Sequence, residues 1–197
     1  MSRRLFAALA VPDHVREHLV TTLRPIRERD GGVLRFTDPD NWHITCAFYG
    51  DTAEDPERLL GHLAAAATGA AGRAGGSLDL YLSGAGSFSS RTLWIGVGGA
   101  TKRLRALMAG CVLEDFSAGR AGRTSGEQQR PRQRAHLTVA RAHNRLQDPW
   151  LLGDLTHALS VYRGPQWRAT SVGLYESFLG EGRSGGPRYE LIGEVEL

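Results

Sequence analysis

Asn41-Trp42-His43-Ile44-Thr45-Cys46-Ala47-Phe48-Tyr49 is the stretch on which the fold turns. It is an apolar and aromatic run, delivered by the turn residues Asp38-Pro39-Asp40-Asn41, and reads as a strand. Strand side chains alternate, so His43, Thr45, Ala47 and Tyr49 are expected on one open face, with Ile44, Cys46 and Phe48 on the packed side. The pattern returns far downstream in Ala135-His136-Leu137-Thr138-Val139-Ala140-Arg141. There Leu137 and Val139 pack, while His136, Thr138 and Ala140 share the open face.

A single His-x-Thr arises readily by chance, and a lone strand histidine is more often a packing or surface residue than a catalyst. Two features separate this pair from accident. Both motifs carry apolar residues at the intervening and following positions, and they are far apart in sequence, as two halves of one cleft would be. Paired imidazoles with hydroxyl neighbours are the parts of metal-free phosphodiester chemistry. One neutral histidine takes a proton from water while the other, protonated, gives one to a leaving oxygen. The threonine hydroxyls donate to phosphate oxygens from a rigid strand. The candidate catalytic residues are therefore His43, Thr45, His136 and Thr138.

The chain also resembles the two-histidine phosphoesterases, in particular the RNA 2′,3′-cyclic phosphodiesterases first described as 2′-5′ RNA ligases. The resemblance runs through Arg4-Leu5-Phe6-Ala7-Ala8-Leu9, the first His-x-Thr strand as far as Gly50, and Leu93-Trp94-Ile95-Gly96-Val97. It continues through the second His-x-Thr strand, Leu174-Tyr175-Glu176-Ser177 and Pro187-Arg188-Tyr189-Glu190. It departs in having Ala135 where the family usually has proline before the second histidine. The resemblance implies an α+β fold of two pseudo-symmetric lobes, with antiparallel sheets flanking a central cleft. It also implies hydrolysis of RNA 2′,3′-cyclic phosphate ends to 2′-phosphates, with 2′-5′ ligation as the reverse direction. In that scheme His136 is the base and His43 the acid, a polarity the residues themselves leave open.

Arg141, Tyr175 and Arg134 are candidate substrate contacts. Strict alternation puts Arg141 on the face opposite Thr138, so a surface ion pair is an equal alternative for it. Tyr175 shares a face with Ser177 and suits a core or rim position as well as a substrate contact. Residues 119 to 134 read as an exposed arginine-rich loop, with Arg120, Arg123, Arg130, Arg132 and Arg134 placed either to meet RNA phosphates or simply to be solvated. The remaining histidines, His14, His18, His62, His143 and His157, have no such company and are expected at the surface or in packing.

The 197 residues and formal charge of +3 fit one domain spanning 1–197, expected to be monomeric, and a mildly basic surface that permits an anionic ligand without requiring one. Cys46 and Cys111 have no metal-ligand spacing and read as buried thiols of a reducing compartment. Arg3-Arg4 and the apolar run after them imitate a short leader, but the run reads better as a buried first strand. No membrane span, metal or cofactor is expected, and the expected location is cytoplasmic. Neither histidine strand offers the extra carboxylate or thiolate a metal site would need. Two other readings compete: a non-catalytic RNA-binding module stacking bases on Trp42 and Phe36, and the same chemistry on another cyclic nucleotide or a 2′-5′ oligonucleotide.

Further elements follow from periodicity and turn residues. Helices are predicted over 12–28, 55–67, 101–116 and 149–162. Strands are predicted over 3–11, 77–86, 91–97, 167–178 and 189–197.

Overall fold

A computed structural model of the chain describes residues 2–74, 76–113, 134–142, 148 and 150–197. In chain order these form β1 (Arg3–Ala10), α1 (Asp13–Asp30), β2 (Leu34–Phe36), β3 (His43–Thr52), α2 (Pro56–Ala74), β4 (Asp79–Phe88), β5 (Thr92–Gly99) and α3 (Thr101–Cys111). They continue with β6 (His136–Ala142), α4 (Leu151–Ala158), β7 (Arg163–Arg168), β8 (Ser171–Phe178) and β9 (Arg188–Glu196). A 3-10 turn, Pro39–Asn41, leads into β3.

The strands make two antiparallel sheets, ordered β3-β1-β8-β9 and β2-β6-β5-β4-β7. Each sheet holds one His-x-Thr strand beside the strand that opens its half of the chain: β3 beside β1, and β6 beside β5. The halves are interleaved. β4, from the first half, joins the second sheet, and β8, from the second half, joins the first. The helices cross over too. α1 follows β1 but packs on β7 and β2, whereas α3 follows β5 but packs on β3 and α2. A continuous core results, in which Leu5, Leu9, Val15, Leu19, Leu63, Leu80, Ile95, Leu104 and Leu137 are buried. Because each such side chain contributes about 1.5–3 kcal/mol on burial, this shared core fixes the two sheets to each other.

α1 begins one residue after Pro12 and buries Val15, Leu19 and Leu23 as its spacing predicts. α2 is capped by Asp55, whose carboxylate accepts from the Glu57 amide at 3.1 Å, but runs beyond residue 67. The alanines of 64–71 outweigh Gly69 and Gly72. The segment 167–178, read as one strand, is two. β7 pairs with β4 in one sheet, and after Ala169 and Thr170 the chain enters β8 in the other. β2 has only three residues and went unpredicted. Most of the arginine-rich loop, including Arg120, Arg123, Arg130 and Arg132, lies outside the described residues, as does His143.

Bulges correct the expected faces of both histidine strands. Along β1–β3 the register slips twice, so that Cys46 and Tyr49 each lack a partner of their own on β1. An extra residue in one strand resets the alternation beyond it. Phe48 is consequently exposed (68 %), while Tyr49 is buried and donates its hydroxyl to the Cys111 carbonyl at 3.0 Å. Their predicted positions are exchanged, and Ala47 is packed rather than open. Along β5–β6 one slip leaves Val139 unpaired, buries Ala140, and returns Arg141 to the face of His136 and Thr138. The alternation that put Arg141 on the far face does not survive that bulge.

Candidate active site

β3 and β6 lie against each other where the two sheets meet. His43 and Thr45 from the first sheet, and His136 and Thr138 from the second, are all half-buried on the facing surfaces. The two imidazoles are close enough for His136 to depress the pKa of His43. Burial is the larger cause of that depression, and the hydrogen bond to Asn41 works against it.

Both histidines are held in the same way. His43 Nδ1 lies 2.8 Å from the carbonyl oxygen of Asn41, and His136 Nδ1 lies 2.8 Å from that of Arg134. A carbonyl can only accept, so Nδ1 carries the proton in each ring and Nε2 is left for chemistry. The anchor is the residue two positions before the histidine in both strands. Asn41 is itself tethered, its Nδ2 donating to the Pro187 carbonyl at 2.8 Å at the start of β9. Among the described residues neither threonine hydroxyl has a protein partner, which leaves both free for a ligand.

Aromatic rings fence each imidazole. Phe6 and Tyr189 lie 4.9 and 5.3 Å from His43, the second edge-on. Phe88 and Trp94 lie 4.9 and 5.9 Å from His136. Trp94 fits because its β4 partner is Gly86, where a Cβ would fall 2.1 Å from the indole. Phe88 is presented by the turn through Ser89 and Ser90, both at positive φ, as this tight reversal requires.

The candidate substrate contacts divide. Arg141 faces the cleft: its guanidinium lies 3.5 Å from the Thr92 hydroxyl. It also pulls down the pKa of Tyr189, which burial otherwise raises. Arg134 stands beside the site, its carbonyl holding His136 and its guanidinium 4.8 Å above the Trp94 ring. Tyr175 is on the cleft face but one ring removed, stacked on Phe6 at 5.4 Å. Among the remaining histidines, His14, His18 and His157 are exposed, and His62 Nε2 is buried in α2 without a partner. No group of three or more potential metal ligands occurs among the described residues.

Sequence reasoning missed Thr37. Its hydroxyl accepts from Trp42 Nε1 at 2.8 Å and lies 2.9 and 3.0 Å from the carbonyls of Thr138 and Val139. Its amide donates to the Val139 carbonyl at 2.9 Å. One side chain thus ties the residue before His43 to the bulge that aims Arg141.

The family model for the 2′-5′ RNA ligase superfamily matches residues 11–177. The chain belongs to that superfamily. Its fold is the two-histidine phosphoesterase fold, as solved structures show. E. coli LigT complexed with phosphate is 21% identical over 99% of this chain and 97% of that one, with a TM-score of 0.62. The protein TT0787 of Thermus thermophilus is 22% identical over 98% and 97%, with a TM-score of 0.63. E. coli LigT complexed with NADP+ is 22% identical over 100% and 98%, with a TM-score of 0.63. LigT has also been crystallised with ATP and with 3′-AMP. No curated protein matches the sequence significantly. Among the described residues no helix is long and apolar enough to cross a membrane.

Proposed function

We propose that this superfamily member hydrolyses RNA 2′,3′-cyclic phosphate ends to 2′-phosphates without a metal. One observation carries the proposal: two facing imidazoles, each fixed through Nδ1 to a backbone carbonyl two residues upstream, each with a free threonine hydroxyl beside it. In the reaction His136 Nε2 takes a proton from water as its oxygen attacks phosphorus. The bond from phosphorus to the ribose 3′ oxygen breaks, and His43 Nε2 protonates that oxygen. Thr45 and Thr138 donate to the two non-bridging oxygens, and Arg141 offsets the charge that gathers there. The polarity follows the family resemblance. Burial lowers the pKa of His43 and favours its neutral ring, and the substrate's phosphate anion shifts it back toward the imidazolium an acid must be. Each proton transfer is worth roughly 10²- to 10⁴-fold.

The nucleotides and phosphate crystallised with LigT support a nucleotide-sized anionic ligand here. The test is incubation of the pure protein with a short RNA ending in a 2′,3′-cyclic phosphate, with and without EDTA. The expected product is the 2′-phosphate, at an unchanged rate in chelator. Activity lost in EDTA and restored by zinc or manganese defeats the metal-free mechanism. Cleavage of only 2′-5′ linkages or other cyclic nucleotides defeats the substrate assignment and keeps the chemistry.

A further inference from the structure

Four pairs of charged residues stand directly opposite one another across the described strands. Arg4 faces Asp51 and Asp79 faces Arg168, each as an ion pair, at 3.4 and 3.1 Å. Glu176 faces Glu190, and both carboxylates are answered: Arg3 donates to Glu176, and Arg188 to Glu190. The fourth pair is Arg35 on β2 against Arg141 on β6. Like charges directly opposed on a sheet repel, and among the described residues no carboxylate pairs with either.

The location gives this exception a use. Directly opposed residues of an antiparallel pair project from the same face, with Cα atoms about 5 Å apart. The neighbouring pair, Leu34 and Ala142, is buried in the core, so Arg35 and Arg141 point the other way, toward the cleft. Across the sheet they form the row Arg35, Arg141, Thr92, with Arg35 outermost because β2 is the edge strand. Both arginines are exposed. A row of two guanidiniums leading outward from the His136 and Thr138 surface suits a second anion beside the reacting phosphate.

We propose that Arg35, next to Arg141, binds the phosphate of the nucleotide adjoining the reacting one. The preferred substrate is then an RNA strand that leaves the cleft over the β2 edge, rather than a free cyclic mononucleotide. The inference rests on the phosphodiesterase proposal for the site itself.

The experiment compares a nucleoside 2′,3′-cyclic phosphate with a tetranucleotide ending in the same group, for the wild-type protein, Arg35→Gln and Arg35→Lys. The ratio of kcat/KM for oligomer over mononucleotide should fall about tenfold in Arg35→Gln, through KM. The salt dependence of oligomer binding should lose about one unit of slope. Arg35→Lys should keep that slope. Removing the repulsion should leave the melting temperature of the free protein at or above that of wild type at low salt. An unchanged ratio, or a lowered melting temperature with both substrates equally affected, overturns the inference. If wild type cleaves neither substrate, the phosphodiesterase proposal fails by itself. Binding of a 3′-phosphorylated tetranucleotide then decides the matter, and equal affinity for wild type and Arg35→Gln refutes the second phosphate position.

Discussion

The two His-x-Thr strands share one layout of anchor, histidine and threonine as far as the bulge, and then part. In both, the histidine is anchored to the carbonyl two positions back, the threonine follows two positions on, and an unpaired residue comes next. Five positions after the histidine the first strand presents Phe48, opposite Phe6. The second presents Arg141, opposite Thr92. Opposite the threonines the exchange runs the other way, Ala8 in the first sheet and Trp94 in the second. The shared part holds the two imidazoles and two hydroxyls to which the proposal assigns the proton transfers and the phosphate oxygens. The divergent part gives one wall of the cleft an apolar character and the other a positive one. On the proposed mechanism, symmetry belongs to the proton transfers, and asymmetry to the orientation of a substrate that is a ring at one end and an anion at the other.

The strongest test of the shared part is removal of either histidine. His43→Ala and His136→Ala should each cost roughly 10²- to 10⁴-fold in kcat. The double variant should be little worse than either, because groups acting as a unit are not additive. Multiplying losses, measured by single-turnover rates, break the comparison by making one histidine a bystander.

The threonines come next. Thr45→Val and Thr138→Val keep the branched shape but lose the donor, and should reduce turnover about 10- to 1,000-fold. Serine at either position keeps the hydroxyl and should retain much of the rate. If valine is harmless and serine damaging, the threonines are strand scaffold.

The divergent part makes an unequal prediction. Arg141→Ala should lower kcat about 10- to 100-fold, whereas Phe48→Ala should leave kcat nearly intact and act on KM. Equal kcat effects would erase the distinction between the walls.

Thr37 sharpens the comparison further, since it supports only the second bulge. Thr37→Val strands the Trp42 indole and the bulge carbonyls, and should cost about 1–3 kcal/mol in denaturant unfolding. The loss of activity should be a few-fold, largely restored in Thr37→Ser.

The smallest effect is on titration. His136→Asn removes a like charge, so the His43 midpoint measured by NMR should rise but stay below its ordinary value, because burial is the larger cause. A midpoint that does not move means the two rings do not face each other.

The candidate constellation was legible in the sequence because its parts are local. A histidine and a threonine two apart share a strand face whatever the rest of the chain does, and an apolar residue between them anchors that face to a core. The helices were legible for the same reason, as in the buried spacing of Val15, Leu19 and Leu23. What failed were inferences requiring the same local rule to hold past Cys46 and Val139. A bulge is a property of two paired strands, and neither strand alone records it. Tertiary pairing therefore decided that Phe48 and Arg141, not Tyr49 and Ala140, face the cleft. The aromatic fence of Phe6, Trp94, Phe88 and Tyr189 was hidden too, since a large apolar residue in a strand has the same sequence signature whether it packs a core or lines a site. The sequence by itself determined which imidazoles and hydroxyls share a strand face. Only the tertiary structure, by pairing β2 with β6 and joining two interleaved halves over one core, decided which charges and rings surround them.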